Sequence, residues 1–203
     1  NIEGELPVSL SENYKRGHGI KIKARKFSFN DNSLNYNLDS AWEIIEGAIS
    51  NELFPGAQIV VVKNNQLVAE KSFGKLSYSH DSRDVDSSTI YDIASITKVL
   101  SVTPITMKLI SQKKISLEHT LEQYYPQLYN TDKGEISIRN LLTHSSGMKP
   151  FVEFYKKNPK IKKNKMINEI LNLDVDFSPG EKVQYSDLGI IVLMDIIEKV
   201  SGS

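Results

Sequence analysis

The residues of this chain best suited to covalent chemistry are serines with a lysine three positions on. A serine hydroxyl is a weak nucleophile until a base takes its proton, and a lysine one helical turn away can act as that base. The spacing recurs at Ser72–Lys75, Ser95–Lys98 and Ser111–Lys114, so local context has to choose. Ser72 lies in a strand-like run leading into Gly74, where alternation would put Ser72 and Lys75 on opposite faces. Ser111 ends a helical pattern, and Lys113 and Lys114 answer the negative end of that helix's dipole. Ser95 instead opens a long helical pattern just after Ile93-Ala94. Serine and lysine then share a face, and the free N–H groups of the first turn can hold a negative oxygen. Flanking Ile96, Val99 and Leu100 would desolvate Lys98, lower its pKa and make it a usable base.

Other chemistries find less support. The chain has 203 residues and no cysteine, which excludes thiol nucleophiles and thiolate metal sites. His18, His80, His119 and His144 are far apart with no ligand spacing, so neither a metal nor a cofactor is implied. Basic and acidic residues balance at 25 each, which gives no electrostatic reason to expect nucleic acid. No apolar run is long enough to be a transmembrane segment. The chain starts at Asn1 and stops straight after an apolar helical pattern, and it reads as a piece of a longer polypeptide.

Several elements would have to position the reactive pair. Asp39 is expected to cap a helix with Trp42, Ile45, Ile49 and Leu53 on one face, ended by Pro55-Gly56. Runs 57–63 and 66–73 flank Asn64-Asn65, a two-residue hairpin signal, and a polar loop follows over 74–90. The helix of Ser95–Lys113 contains Pro104, so a bend is expected there. A short helix is expected within Ile115–Leu128, and another from Ser137 to about His144, ended by Gly147. Residues 150–175 suggest two short helices, and Asp187–Val200 a final one burying Leu188, Ile191, Met194 and Ile197. Helix, hairpin, then mostly helices is an α+β order. Lysines 156, 157, 160, 162, 163 and 165 form a basic cluster, read as solvated surface.

Three further segments go with Tyr91-Asp92-Ile93-Ala94-Ser95-Ile96-Thr97-Lys98. They are Asn140-Leu141-Leu142-Thr143-His144-Ser145-Ser146-Gly147-Met148, the run from Phe177-Ser178-Pro179-Gly180 to Tyr185-Ser186-Asp187-Leu188-Gly189, and Ile197-Glu198-Lys199-Val200-Ser201-Gly202. In this order the chain resembles class C serine β-lactamases, penicillin-binding proteins and related serine esterases. The resemblance implies a β-lactamase/transpeptidase-like fold, an antiparallel sheet flanked by helices plus a helical subdomain. It implies that Ser95 forms an acyl-enzyme, that Lys98 and Tyr185 move protons, and that Asp187 meets the substrate. Family members usually carry Asn where Asp187 stands, and an ionised carboxylate has no donor to offer. Asp187 would also favour a charged Lys98. The resemblance gives His144 a structural role beside the Ser145-Ser146-Gly147 turn.

The family's K/H-[ST]-G triplet, which supplies a second oxyanion donor from a strand, does not occur after Tyr185. The C-terminal strands of the sheet are therefore expected to be missing from this chain, leaving only the hairpin at 57–73. An unfinished sheet edge invites a strand-swapped homo-oligomer. An isolated chain of this length is expected to be inactive. The expected substrate is a small molecule or peptide with an amide or ester bond, acted on outside the cytoplasm. A catalytically degenerate binding module is the non-enzyme alternative. On this reading 37–203 is the N-terminal portion of the hydrolase domain, and 1–36 a linker or tail of a preceding domain. Gly4-Glu5-Leu6-Pro7-Val8-Ser9, Tyr14 and Gly17-His18-Gly19-Ile20 resemble the end of a family-3 glycoside hydrolase, which would imply fusion to such a domain.

Overall fold

The structure, a computed structural model, describes residues 2–5, 19–22, 28–29 and 37–202. The stretch resembling a glycoside hydrolase lies mostly outside the described residues. The chain forms two compact units, the first ending at Tyr91 and the second beginning at Asp92.

In the first unit, β1 (Ile2–Glu5) pairs antiparallel with β2 (Gly19–Ile22). The expected hairpin is present as β4 (Gly56–Lys63) and β5 (Gln66–Gly74), paired antiparallel. Asn64 and Asn65 sit at φ 52° and 61°, the left-handed conformation that this tight turn requires. The sheet is larger than expected: β3 (Ser28–Phe29) pairs parallel with β5, giving the order β3-β5-β4. Helix α1 (Asp39–Ser50) lays Trp42 against Phe73 of β5 with ring centroids 5.6 Å apart. Its cap differs from the expectation. Asp39 is the first helical residue, and its N–H donates to Asn37 Oδ1 at 2.9 Å. The helix ends before Leu53, which is exposed, and Glu52 at φ 56° ends it rather than Pro55-Gly56.

The second unit is built on α6 (Asp187–Ser201), whose Leu188, Ile190, Val192, Leu193, Ile196 and Ile197 are buried. Around it pack α3 (Ile138–Leu142), α4 (Phe154–Lys157), α5 (Lys163–Asn172) and two 3-10 turns, Leu121–Gln123 and Pro126–Leu128. Those turns replace the single short helix expected there. Met194, expected inside, is exposed. Asp195 is buried yet satisfied: Tyr125 donates to Oδ2 at 2.7 Å, and Lys163 and Lys199 lie 3.0 and 3.1 Å from its carboxylate. A buried carboxylate is tolerable only when paired in this way. The basic cluster is likewise partly neutralised, through Lys156–Glu153, Lys163–Glu198 and Lys165–Glu169.

Pro104 acts where a bend was expected, and the form is specific. Lys98–Val102 is a π-helical turn, closed by the Thr103 N–H donating to the Lys98 carbonyl, and α2 (Thr103–Ser111) follows. A proline ring at 104 crowds the carbonyl four residues back, and widening the preceding turn relieves that clash.

Candidate active site

Ser95 sits at the tip of a tight turn. Ala94 before it has φ 42°, an unusual conformation for a residue with a Cβ, and its N–H is held by Asp92 Oδ1 at 2.7 Å. The helix begins one residue later than expected, and its first turn is tight. Ile96, Thr97 and Lys98 N–H groups donate to the carbonyls of Ile93, Ala94 and Ser95. These amides are therefore engaged, contrary to the expectation that they surround the serine hydroxyl as free donors. Among the described residues no acceptor takes the Ser95 N–H, which remains available to a ligand oxygen.

The Lys98 ammonium donates to Ser95 Oγ at 2.8 Å. Asp187 Oδ1 lies 2.8 Å from the same nitrogen. That contact is an ion pair, Oδ1 is shielded from solvent, and among the described residues no other donor reaches it. Tyr185 completes the group: its ring centroid is 5.2 Å from the ammonium, and Lys98 and Ser95 are the neighbours that act most strongly on its hydroxyl. All four candidate residues from the sequence, Ser95, Lys98, Tyr185 and Asp187, thus meet in one place within the second unit.

The electrostatics correct the expectation for Lys98. Burial lowers its pKa, but the Asp187 carboxylate and Tyr185 hydroxyl outweigh burial, and the net pKa lies above the ordinary lysine value. A lysine with that pKa is a cation at neutral pH. It donates to Ser95 Oγ and cannot take a proton from it. Tyr185 moves the other way: hydrogen bonds from Lys98 and then from Ser95 hold its phenol below the ordinary tyrosine value, against a smaller burial effect. The two shifts are opposed: Lys98 is held as a cation, and Tyr185 is eased toward its phenolate.

The competing serine–lysine pairs are placed differently. Ser72 is in β5, and Ser111 Oγ donates to the Lys108 carbonyl at the end of α2. A further pair with the same spacing, Ser146–Lys149, is also structural. Ser146 is buried, and Lys149 is bound to Asp176 at 2.7 Å. Behind Lys98 and Asp187 lies a cavity of about 280 Å³, walled by Ala94, Thr97, Ser101, Phe151, Ile191 and Met194.

Tyr185 reaches the site through a tied corner. Ser137 and Asn140 form a reciprocal capping box at the start of α3. Asn140 Nδ2 donates to Ser145 Oγ at 3.0 Å, and the Asn140 carbonyl accepts the Ser145 N–H. Gly147 does not end the helix as expected, since Thr143 and His144 (φ 56°) already do. At φ 75° it lets the chain pass Phe177, whose carbonyl oxygen would lie 2.0 Å from any Cβ there. Ser186 caps α6, accepting the Gly189 N–H at 3.0 Å and donating to the Lys149 carbonyl at 2.8 Å. Ser186 escaped the sequence reading, although a serine before an apolar helical run is a cap signal.

Comparison with known proteins agrees with this fold. The chain is 29% identical over 166 residues to the N-acetylmuramyl-L-alanine amidase of Bacillus subtilis, covering 73% of this chain and 38% of that protein. It is 25% identical over 179 residues to a provisionally named D-alanyl-D-alanine carboxypeptidase of Salmonella typhimurium, covering 78% of this chain and 41% of that protein. A class C β-lactamase in complex with cefoxitin superposes with TM-score 0.68 at 20% identity, over 81% of this chain and 44% of that one. The chain thus spans about two fifths of the length of these proteins. The family model described as Beta-lactamase matches residues 43–203, and on that match the chain belongs to the Beta-lactamase family.

Proposed function

We propose that Ser95 is the nucleophile of a serine hydrolase, with the Lys98–Tyr185 couple carrying its proton. The observation that carries this reading is the 2.8 Å contact from the Lys98 ammonium to Ser95 Oγ beside a tyrosine of lowered pKa. In the proposed sequence the Tyr185 phenolate, stabilised by the Lys98 cation, takes the proton from Ser95 Oγ as that oxygen bonds to a substrate carbonyl carbon. Negative charge moves to the carbonyl oxygen, for which the Ser95 N–H is one donor. Collapse breaks the bond to the amine or alcohol, which leaves with the proton returned by Tyr185. Water, activated by the same phenolate, then hydrolyses the acyl-enzyme and restores the Ser95 hydroxyl.

The names of the relatives favour an amide substrate, and a D-amino peptide acted on outside the cytoplasm is the leading proposal. A carboxylesterase is the second reading, and Asp187 favours it. An ionised carboxylate where the family usually has an amide cannot donate to a substrate's amide carbonyl, and an ester acyl group need not carry one. We also propose that residues 1–36 join this domain to a neighbouring one, and that 203 residues alone are inactive. The motif for the second oxyanion donor is not in this chain, and Ile96, Val99 and Leu100 beside the site are 57%, 64% and 63% exposed.

Mass spectrometry of the full-length protein after treatment with a fluorophosphonate and with a penicillin tests the reading. Labelling at Ser95 by both supports an enzyme that recognises penicillin, and fluorophosphonate alone supports the esterase. Labelling by neither sinks the serine hydrolase and leaves a binding module. The Ser95→Ala form should lose at least about a thousandfold in turnover. Hydrolysis of p-nitrophenyl acetate by the 203-residue chain, abolished in Ser95→Ala, would overturn its proposed inactivity.

A further inference from the structure

We propose that His144 is a positioning residue that seats Tyr185, gripping the chain on both sides of it and stacking on its ring. The Gln184 N–H donates to the His144 carbonyl at 2.8 Å, and the Ser186 N–H donates to His144 Nδ1 at 3.2 Å. The residue between them, Tyr185, has its ring centroid 4.4 Å from the imidazole with the planes 37° apart. One residue therefore accepts both amides flanking the tyrosine and supplies a face for its ring. Tyr185 is half exposed and lacks a close-packed socket, so these contacts hold much of its orientation. The grip is itself anchored, because His144 lies between the end of α3 and the Ser145 hydrogen bonds to Asn140.

The grip requires a neutral imidazole. Nδ1 accepts from Ser186 only while its lone pair is free, which puts the ring proton on Nε2. Protonation would set an N–H against the Ser186 N–H. The charged groups facing the ring are Lys98 from the π-helical turn and Asp187 from the start of α6, with the Tyr185 phenol stacked on it. Burial and then Lys98 lower the His144 pKa, and Asp187 only partly offsets them. The unfolded chain therefore binds this proton more readily than the folded one. The seat is intact above the ordinary histidine value of about 6.5 and is lost as pH falls below that through the lowered folded value. The catalytic consequence rests on the proposed role of Tyr185, whereas the seating itself does not.

His144→Gly and His144→Asn test the proposal by NMR on the isotopically labelled chain. Both residues accept φ 56°, so neither change strains the backbone. Glycine removes ring and acceptor, while asparagine offers Oδ1 near the place of Nδ1. Tyr185→Phe identifies the Tyr185 phenol signal. The expected result is a Tyr185 midpoint that rises toward the ordinary value of about 10 in His144→Gly and stays low in His144→Asn. The Ser186 amide should follow His144 protonation in the unsubstituted chain and lose that pH dependence in both variants. An unchanged Tyr185 midpoint in His144→Gly would overturn the proposal. So would a Ser186 amide indifferent to His144 protonation in the unsubstituted chain, a measurement that needs no variant to fold. None of these readouts requires turnover, so an unreactive Ser95 leaves the test intact.

Discussion

The two sides of the candidate site are held by different means. Ser95 and Lys98 ride on a strained turn and a π-helical turn whose outward face, Ile96, Val99 and Leu100, is bare. Tyr185 and Asp187 leave a corner where Ser145, Ser146 and Ser186 are buried and Gly147 fits against the Phe177 carbonyl. One side takes its shape from local backbone geometry, the other from hydrogen bonds between segments some forty residues apart in sequence. The corner behind the tyrosine is closed by these hydrogen bonds, although the Tyr185 side chain itself is half exposed. The serine side still presents apolar surface of the kind that proteins cover.

Substitutions can break or sharpen this contrast. The largest effect is expected at Gly147→Ala, which combines φ 75° with a Cβ driven onto a carbonyl oxygen. A loss of about 3 kcal/mol or more, read by thermal denaturation, is expected. A loss below about 1 kcal/mol would mean the corner yields more easily than its contacts imply. Ser186→Ala should cost about 1–2 kcal/mol, because it removes the α6 cap and leaves the Lys149 carbonyl without its donor. Asp187→Asn acts on charge more than on packing. Asp187 raises the Lys98 pKa, and among the smaller influences it also raises that of Tyr185. Removing the carboxylate should lower both, shifting the acid limb of the pH–rate profile of the full-length protein down by as much as about one unit. A Lys98 13Cε titration in this chain should move in the same direction, and no movement in either would contradict the pairing. The smallest effect is expected at Leu100→Ala, within about 0.5 kcal/mol in this chain because the side chain is 63% exposed. A loss of 2 kcal/mol there would show the serine side to be packed after all.

The hairpin was legible because Asn64-Asn65 between two β-branched runs has one good solution. The site residues were legible because motif segments far apart in sequence carried them. The Lys98 protonation state was legible only in part, since neighbours in sequence suggested desolvation while the opposing charge, Asp187, is 89 residues away and was set beside it only by the resemblance. The role of His144 was only half legible: a structural histidine near a turn was expected, but its partners Gln184, Tyr185 and Ser186 belong to another segment. The missed strand pairing of β3 has a similar origin, because Ser28–Phe29 is too short for any alternation to show.

The wide turn at Lys98–Val102 has a consequence for how this segment can change over time. Compared with an uninterrupted α-helix, it takes in about one extra residue, which slips the angular phase of everything beyond it by about 100°. Ser95 and Lys98 therefore need not share a heptad-like stripe with Val102, Thr106 and Leu109, which face the interior. The turn works as a clutch between two gears. Substitutions that repack the buried stripe leave the aim of the lysine alone, whereas deleting a single residue between 99 and 102 would re-engage the two and rotate one of them out of place.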